Sequence, residues 1–255
     1  MANVLVYGGA FDPVHWGHLN LASVVRHKLV LDEGVDYELW FTPSYHDAFG
    51  KKNLESNAKH RIEMLRLALK NEFAMIPNTL ICTLEFEGSN KMGTYELMKQ
   101  LTSRFPKYKF KFLMGADAAA DIGLWRNSRK LRREFNLVVA ARNVETKAMW
   151  GSKPMIKRKL SPAFDWTWDP EGGHTMIKDA PVEDAISSTM VKELIQENQW
   201  KKLRKFVPGS VIKYIRDNGL YMEDTNEPIN KQKLVADIQK FGTRSYKISE
   251  SKPHH

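Results

Sequence analysis

Directly after the apolar run Val4–Tyr7, the chain reads Gly8-Gly9-Ala10-Phe11-Asp12-Pro13-Val14-His15-Trp16-Gly17-His18. A strand that breaks into glycines and then opens a helix brings bare backbone N–H groups and a helix N-terminus together, and both attract anions. His15 and His18, three residues apart in the first helical turn, add donors that can stabilise developing charge. Two histidines with no third His or Cys nearby in sequence make a poor transition-metal site. The stretch therefore predicts a phosphate site.

Strand-like and helix-like segments alternate along the chain. This order predicts an α/β fold, a Rossmann-like doubly wound parallel sheet with helices on both faces and ligands bound beyond the carboxyl ends of the strands. The predicted strands are Val4–Tyr7, Tyr37–Thr42, Leu80–Phe86, Lys109–Met114 and Leu137–Ala140. Two helices are predicted from the helical spacing of apolar residues, the first from Leu19, Ala22, Val25 and Leu29 and the second from Ala58, Ile62, Leu65 and Leu69. Further helices are predicted over Tyr95–Ser103, Asn127–Glu134, Met190–Asn198 and Ser210–Asn218. Thr94 is the predicted N-cap of the Tyr95–Ser103 helix, and Gly219 ends the last helix.

A second candidate anion pocket is the stretch Ile186-Ser187-Ser188-Thr189-Met190-Val191-Lys192. Hydroxyl side chains at a helix start satisfy free backbone N–H groups, and a plain cap is therefore one interpretation. A cap needs a single such residue, whereas here three stand together and Lys192 follows one turn later on the same side. The alternative interpretation is a second anion pocket.

Composition narrows the class of protein. The 255 residues are 42% hydrophobic and carry a formal net charge of +9, which suits nucleic acid but equally an anionic small substrate such as ATP. The basic residues are dispersed, and the densest cluster, Lys153–Lys159, is open to interpretation as a solvated loop, a substrate-facing loop or a nucleic-acid patch. Cys82 is the only cysteine, so we expect no internal disulfide. We expect no membrane segment, because no apolar stretch approaches roughly 20 residues, and no signal peptide, because a strand follows the N-terminus at once. These features together lead us to expect a cytoplasmic protein.

Several motifs together resemble one known family. The Gly8–His18 run matches the G-x-F-D-P-x-H-x-G-H signature of the nucleotidyltransferase superfamily, and within it the chain resembles nicotinamide and nicotinate mononucleotide adenylyltransferases of NAD biosynthesis. The further stretches that carry this resemblance are Ile186–Lys192, Phe112–Ala118 followed by Trp125, Leu137–Arg142, and Phe206–Pro208 with Tyr214–Tyr221. Two departures stand out. Lys192 replaces the family's usual arginine, and Thr42–Lys52 resembles the S-P-V-x-D-A-Y-x-K-K loop of eukaryotic-type members rather than the bacterial P-P-H-K.

The resemblance implies a role for each matching residue. The implied catalytic residues are His18, nearest the reacting phosphorus, together with His15 and Lys192. The implied ATP-binding residues are Gly8, Gly9, Ala10, Phe11, Gly115, Asp117, Ile186, Ser187, Ser188, Thr189, Lys51 and Lys52. The implied mononucleotide-binding residues are Ser44, Thr94 and Trp125. Mg²⁺ is the implied cofactor, bridging the phosphates of ATP with no protein cage of its own. A core tryptophan remains the alternative for Trp125, and a salt-bridge partner the alternative for Arg61, which also fits the family.

The resemblance covers most of residues 1–221. We therefore expect a nucleotidyltransferase domain over 1–221, with an insertion or loop region at 143–185, and a polar C-terminal tail over 222–255. The expected partners are ATP and a pyridine mononucleotide, with no membrane and no nucleic acid, and a homo-oligomer is left open. Three alternatives stay open: a pantetheine-phosphate adenylyltransferase, whose I-S-S-S-x-V-K segment shares the lysine, a cytidylyltransferase, and a nucleic-acid-binding module that has lost activity.

Overall fold

The computed structural model describes most of the chain, namely residues 2–45, 58–74, 76–87, 92–142, 149–150, 153–154, 174–180, 186–222 and 246–247. The strands in these ranges are β1 (Ala2–Gly9), β2 (Tyr37–Pro43), β3 (Thr79–Ile81), β4 (Tyr108–Gly115), β5 (Asn136–Arg142), β6 (Met149–Trp150), β7 (Lys153–Pro154), β8 (Thr175–Ala180) and β9 (Tyr246–Lys247). The helices are α1 (Trp16–Glu33), α2 (Ala58–Asn71), α3 (Thr94–Arg104), α4 (Ala116–Ala120), α5 (Ser128–Glu134), α6 (Ser188–Gln196), α7 (Trp200–Leu203) and α8 (Gly209–Asp217), with 3₁₀ turns at Leu84–Phe86 and Ile122–Leu124.

The chain divides into two compact units, each made of separate stretches. The first unit comprises Met1–Tyr7, Asn20–Tyr37 and Gly93–Ala185. The second unit comprises Gly8–Leu19, Glu38–Met92 and Ile186–His255.

The first unit is built on parallel strands. β1 pairs with β4, β4 with β5, and β5 with β8, all in parallel, which gives the order β8-β5-β4-β1. Val4, Leu5 and Val6 are fully buried. A continuous apolar run is typical of a parallel strand, because helices cover both of its faces. Helix α1 contributes an apolar face to the core through its buried side chains Ala22, Val25 and Leu29.

The second unit carries parallel strands β2 and β3, and β9 pairs antiparallel with β3. Its helices pack through apolar side chains, since Leu65 on α2, Val191 on α6 and Ile215 on α8 are all fully buried. Polar contacts join α2 to the start of α8, where the Glu72 carboxylate accepts hydrogen bonds from the N–H (3.0 Å) and hydroxyl (2.9 Å) of Ser210. A carboxylate at a helix N-terminus satisfies exposed N–H groups and is stabilised by the helix dipole.

The predicted α/β fold with a parallel sheet and helices is confirmed. The apolar positions predicted for the first two helices, Leu19 to Leu29 and Ala58 to Leu69, are all buried. Three local predictions were wrong. The strand expected over Leu80–Phe86 is β3 alone, followed by a 3₁₀ turn at Leu84–Phe86. The N-cap of α3 is Gly93 rather than Thr94, and its N–H bonds to Glu96 Oε2 at 3.1 Å.

The third wrong local prediction concerns histidine placement, since α1 begins at Trp16 and His15 precedes it. The sequence also gave no sign of β8, which lies inside the predicted insertion at 143–185. Of the basic cluster only Lys153 and Pro154 fall in the described part of the chain, as β7. In the predicted tail, the described residues include the short β9. None of the helices in the described ranges combines the length and apolar character that a membrane crossing needs. The domain boundaries themselves stay a prediction.

Candidate active site

The centre of the candidate site is a pair of histidines where β1 runs into α1. The imidazole rings of His15 and His18 stack with their centroids 3.7 Å apart and their planes at 24°. His15 is buried and His18 is half-buried. The carbonyl of His15 accepts the N–H of His18 at 2.9 Å, and this bond closes the first turn of the helix. The arrangement places two N–H-bearing rings beside a helix N-terminus, where an anion is stabilised.

The loop between β1 and α1 is held by close packing. Phe11 adopts a left-handed backbone (φ 47°) and buries its ring completely. That ring meets His18 edge-on at 5.1 Å between centroids. A Cβ on Gly9 would lie only 3.2 Å from the Phe11 ring, and one on Gly17 only 3.0 Å from Nδ1 of His15. Glycine at these two positions therefore lets the loop approach the aromatic and imidazole rings.

Asp12 links this loop to two distant parts of the second unit. The Lys192 ammonium donates to Asp12 Oδ2 at 2.5 Å, and the Tyr221 hydroxyl donates to Asp12 Oδ1 at 2.7 Å. The ammonium also lies 5.0 Å from the centre of the Tyr221 ring. Burial, together with the negative charge of Asp12 and the hydrogen bond to it, raises the pKa of Tyr221 well above its usual value near 10. The phenol therefore stays protonated and keeps donating to Asp12 at neutral pH.

Helix α6 begins with the hydroxyl residues of the second predicted pocket, and the structure gives each a separate place. Ser187 is the N-cap, its hydroxyl accepting the N–H of Met190 at 3.1 Å. Ser188 instead donates to the carbonyl of Pro13 at 3.1 Å and ties α6 to the histidine loop. Thr189 is exposed, and Ile186 is buried. The cap interpretation is thus correct for Ser187 alone.

Ser44, predicted to bind the mononucleotide, directly follows β2 and is fixed to the histidine loop. Its N–H donates to the carbonyl of Gly9 at 2.8 Å. The Arg61 guanidinium, fully buried on α2, donates to the carbonyls of both Ala10 (2.6 Å) and Ser44 (2.7 Å). These contacts bring the predicted residues Gly9, Ala10 and Ser44 together in the second unit.

The remaining described candidates belong to the first unit. Gly115 ends β4 and caps α4, which contains Asp117, although the Asp117 side chain lies outside what the structure describes. Thr94 is the first residue of α3 and is half-buried. Trp125 is partly exposed, with its ring edge-on to Phe112 at 6.4 Å. Its Nε1 is buried and has no hydrogen-bond partner in the described ranges, so the simple core interpretation leaves a polar atom unsatisfied.

Two predicted residues, Lys51 and Lys52, lie outside the described ranges. Within those ranges no cluster of three or more His, Cys, Asp or Glu side chains could hold a metal ion. The carboxylate nearest the histidines in sequence, Asp12, is engaged by Lys192 and Tyr221.

Residues 6–194 match the model of the family described as cytidylyltransferase-like. The chain belongs to this family. Two relatives that both carry the name "Probable nicotinate-nucleotide adenylyltransferase" come from Exiguobacterium sibiricum and Bacillus licheniformis. The first is 29% identical over 84% of this chain and 96% of its own length, and the second is 29% identical over 87% and 99%.

Among solved structures, the chain is similar to the nicotinic acid mononucleotide adenylyltransferase of Plasmodium falciparum complexed with NaAD. The two superpose with a TM-score of 0.64 over 87% of this chain and 98% of the other, at 22% identity. This likeness supports the fold, the α/β architecture with a parallel sheet described above.

Sequence reasoning missed several residues that organise the site. Asp12 and Tyr221 lie within the matching motifs, but the sequence assigns them no role. For Arg61 it leaves a salt-bridge partner as one interpretation. Glu85 was missed altogether, although a lone carboxylate between the apolar Leu84 and Phe86 was a usable signal. A charged group flanked by core residues is uncommon unless it has a partner.

Proposed function

We propose that this chain is an adenylyltransferase that joins the AMP part of ATP to a pyridine mononucleotide, releasing pyrophosphate. The observation that carries the proposal is the stacked His15–His18 pair beside the N-terminus of α1, in a chain whose relatives are named nicotinate-nucleotide adenylyltransferases. Those names favour nicotinate mononucleotide as the acceptor, with nicotinamide mononucleotide as the second candidate. The products are then the deamido form of NAD or NAD itself.

The chemistry asks little of the protein beyond positioning and charge stabilisation. A phosphate oxygen of the mononucleotide attacks the α-phosphorus of ATP, the bond from that phosphorus to the β-phosphate bridging oxygen breaks, and pyrophosphate leaves. The attacking phosphate is already an anion, so no general base and no covalent enzyme intermediate are needed. Catalysis of phosphoryl transfer of this kind depends on alignment and on donors directed at the charge that develops.

Each part of the second-unit site has a role in that reaction. His18 and His15 donate to the α-phosphoryl group and the departing pyrophosphate, with the N-terminus of α1 behind them. Lys192 neutralises the triphosphate. Because an ammonium has three N–H groups, its bond to Asp12 fixes its position and leaves further donors for phosphate. Mg²⁺ bound to ATP supplies additional charge neutralisation on the phosphates.

We assign roles to the other predicted residues from the resemblance to mononucleotide adenylyltransferases. Gly8, Gly9, Ala10 and Phe11 contribute backbone to the ATP phosphates, Gly115 and Asp117 hold a ribose, and the α6 start bounds the adenosine. Ser44, Thr94 and Trp125 receive the mononucleotide, with the Trp125 ring stacked on the pyridine. Lys51 and Lys52 reach the triphosphate. The expected cytoplasmic location belongs to the same proposal.

The test is pyrophosphate release with ATP and Mg²⁺, measured in parallel with nicotinate mononucleotide, nicotinamide mononucleotide and phosphopantetheine, with CTP replacing ATP in a further arm. We expect turnover with ATP and a pyridine mononucleotide, faster with the nicotinate form, and loss of turnover with EDTA. Turnover with phosphopantetheine alone, or with CTP alone, would move the chain to another branch of the family. Silence in every arm would contradict the proposal.

A further inference from the structure

The peptide bond between Ser44 and Tyr45 is held by two buried ionisable side chains, those of Arg61 and Glu85. Its carbonyl accepts from the Arg61 guanidinium at 2.7 Å, and its N–H donates to Glu85 Oε2 at 3.0 Å. Arg61 is fully buried and Glu85 is 8% exposed. Both polar groups of a single peptide unit are thus bound by ionisable side chains, one from α2 and one from the 3₁₀ turn Leu84–Phe86.

The same arginine connects that peptide to the histidine loop. Its other terminal nitrogen donates to the carbonyl of Ala10 at 2.6 Å, and the N–H of Ser44 donates to the carbonyl of Gly9 at 2.8 Å. A planar guanidinium with donors in a fixed fork sets the distance and the orientation of the two carbonyls that it binds. Arg61 therefore fixes the end of β2 relative to the loop that carries the histidines.

Aromatic packing completes the hold on Tyr45. Its ring lies edge-on to Phe86 with centroids 5.3 Å apart, and it packs against the buried cluster of Ala58, Ile62 and Phe86. Burying a charged side chain is costly, and it is maintained where partners and hydrogen bonds compensate it. An apolar pair could stabilise the core here, but only charged or strongly polar groups can bind both ends of a peptide unit.

We propose that Arg61 and Glu85 are positioning residues that orient the Ser44–Tyr45 peptide against the Gly9–Ala10 loop and so place the mononucleotide for attack on ATP. The inference rests on the proposed function, because Ser44 is the residue assigned to the mononucleotide and Ala10 to ATP. Neither charged group touches a reacting atom in this account. Among the described residues, Glu85 hydrogen-bonds to the N–H of that peptide, whereas Arg61 hydrogen-bonds to its carbonyl and to the carbonyl of Ala10.

This division of contacts gives two variants different kinetic signatures. At about pH 8 the Glu85 carboxyl is ionised even though burial raises its pKa to about 7. At this pH, Glu85→Gln keeps an oxygen for the Tyr45 N–H but loses the charge that strengthens that hydrogen bond. We expect KM for the mononucleotide to rise about fivefold or more while KM for ATP stays within about twofold, since loss of a positioning contact affects the ligand it orients. Arg61→Lys keeps the charge but not the fork. We expect kcat to fall roughly 10- to 100-fold, the cost of a small misplacement of reacting groups, with KM raised for both substrates.

The matched control is Arg66→Lys on the same helix, whose guanidinium forms an ion pair with Glu63 (2.6 Å). It should behave as the wild-type chain. Active-site titration with a bound ATP analogue, and the thermal midpoint of each variant, report the folded fraction. A merely structural role predicts a smaller active fraction with both KM values unchanged in Glu85→Gln and Arg61→Lys, and that result would overturn the inference.

The activity of the wild-type chain distinguishes a failure of the positioning role from a failure of the proposed function. If it forms dinucleotide and the variants match it, the positioning role is wrong and the proposed function stands. If the wild-type chain is silent with both pyridine mononucleotides, the proposed function fails, and the inference about the Ser44–Tyr45 peptide fails with it. Rescue of the mononucleotide KM by Glu85→Asp, relative to Glu85→Gln, would add support from a conservative change.

Discussion

The candidate residues of the second unit and those of the first are held in place by different kinds of contact. Around the histidine loop, the side chains of Asp12, Arg61 and Lys192 bond to groups far away in the chain. In the first unit, Trp125 follows a short 3₁₀ turn and meets Phe112 through ring packing. Around the histidine loop, polar atoms are thus held by ionic interactions and hydrogen bonds, whereas the Trp125 ring is held by packing against another ring.

This difference leads us to expect different roles for the two regions, namely stabilisation of charge near the histidines and stacking on the substrate at Trp125. Groups that stabilise developing charge must be fixed in advance, because reorganisation during the reaction would cost much of the electrostatic gain. A ring that stacks on a flat heterocycle needs mainly a rigid apolar face. We therefore expect changes near the histidines to lower kcat and changes at Trp125 to raise KM for the mononucleotide.

The largest expected effect comes from His18→Ala. Removing one donor from a site that stabilises developing charge lowers kcat by roughly 10²- to 10³-fold. Steady-state kinetics with ATP and mononucleotide should show this loss with little change in mononucleotide KM. The control is His27→Ala, an exposed position on the same helix α1. Turnover of His18→Ala near the wild-type rate would remove this histidine from the site.

The second prediction concerns the buried carboxyl of Glu85. Burial raises the pKa of Glu85 from 4.5 to about 7, against the opposing effects of the Tyr45 N–H and the Arg61 charge. Between these values the unfolded chain ionises this group and the folded chain does not, so its contribution to stability falls as the pH rises. The glutamine of Glu85→Gln cannot ionise, so the variant does not lose this stability as the pH rises. The free energy of unfolding of Glu85→Gln minus that of the wild-type chain should therefore increase on the order of 3 kcal/mol between pH 4.5 and about 7.

Urea unfolding of both chains at pH 4.5, 5.5, 6.5 and 7.5, chosen at roughly one-unit steps, measures this difference. The exposed Glu87→Gln, two residues further along, is the control. A difference between Glu85→Gln and wild type that stays constant with pH would show that Glu85 does not carry the raised pKa.

A smaller effect is expected from Gly17→Ala. The added Cβ would meet Nδ1 of His15 at 3.0 Å and Cβ of Ile186 at 3.4 Å, so the imidazole must move. If His15 has the proposed catalytic role, a shift of this size should lower kcat about tenfold, less than removal of the side chain. Gly209→Ala makes the same chemical change in the second unit where no atom lies within 4 Å, and its kcat should stay unchanged. Equal kcat values for the two variants would contradict the tight packing of His15.

The smallest expected effect lies in the first unit, at Trp125→Ala. Loss of a stacking ring costs about 1–3 kcal/mol per base, and a single-ring pyridine lies at the lower end of this range, so KM for the mononucleotide should rise about fivefold with kcat nearly constant. Trp125→Phe should recover part of the affinity, because a ring face is retained. A variant that loses stability without any change in KM would instead support the core interpretation of this tryptophan.

The sequence was sufficient for the parts of the structure that depend on local periodicity. The apolar spacing of Leu19, Ala22, Val25 and Leu29 predicted one buried helix face, and all four are fully buried. The sequence did not predict β8, which lies at the edge of the sheet in its unit and includes the charged residues Lys178 and Asp179. A strand at the edge of a sheet needs no continuous apolar run, so its pattern is weak.

The site was predictable where a motif holds the residues close together, as in Gly8–His18, and not where the partners are distant. Lys192 and Tyr221 reach Asp12 across 180 and 209 residues, respectively. Arg61 bonds to Ala10 across 51 residues. No spacing rule connects such pairs, and they become visible only when the elements are packed. The sequence therefore indicated the residue types of the candidate phosphate site but not the charged side chains that hold them in place.

In the proposed reaction, the chain transfers the α-phosphoryl group of ATP, with its adenosine, to a pyridine mononucleotide. The most direct test of this transfer follows ATP labelled at the α-phosphorus through the reaction with nicotinate mononucleotide and Mg²⁺. We expect the label to appear in the dinucleotide, with one pyrophosphate released for each dinucleotide formed, and we expect His18→Ala to abolish most of both. Label that remains in ATP, or that is released as AMP without dinucleotide, would contradict it.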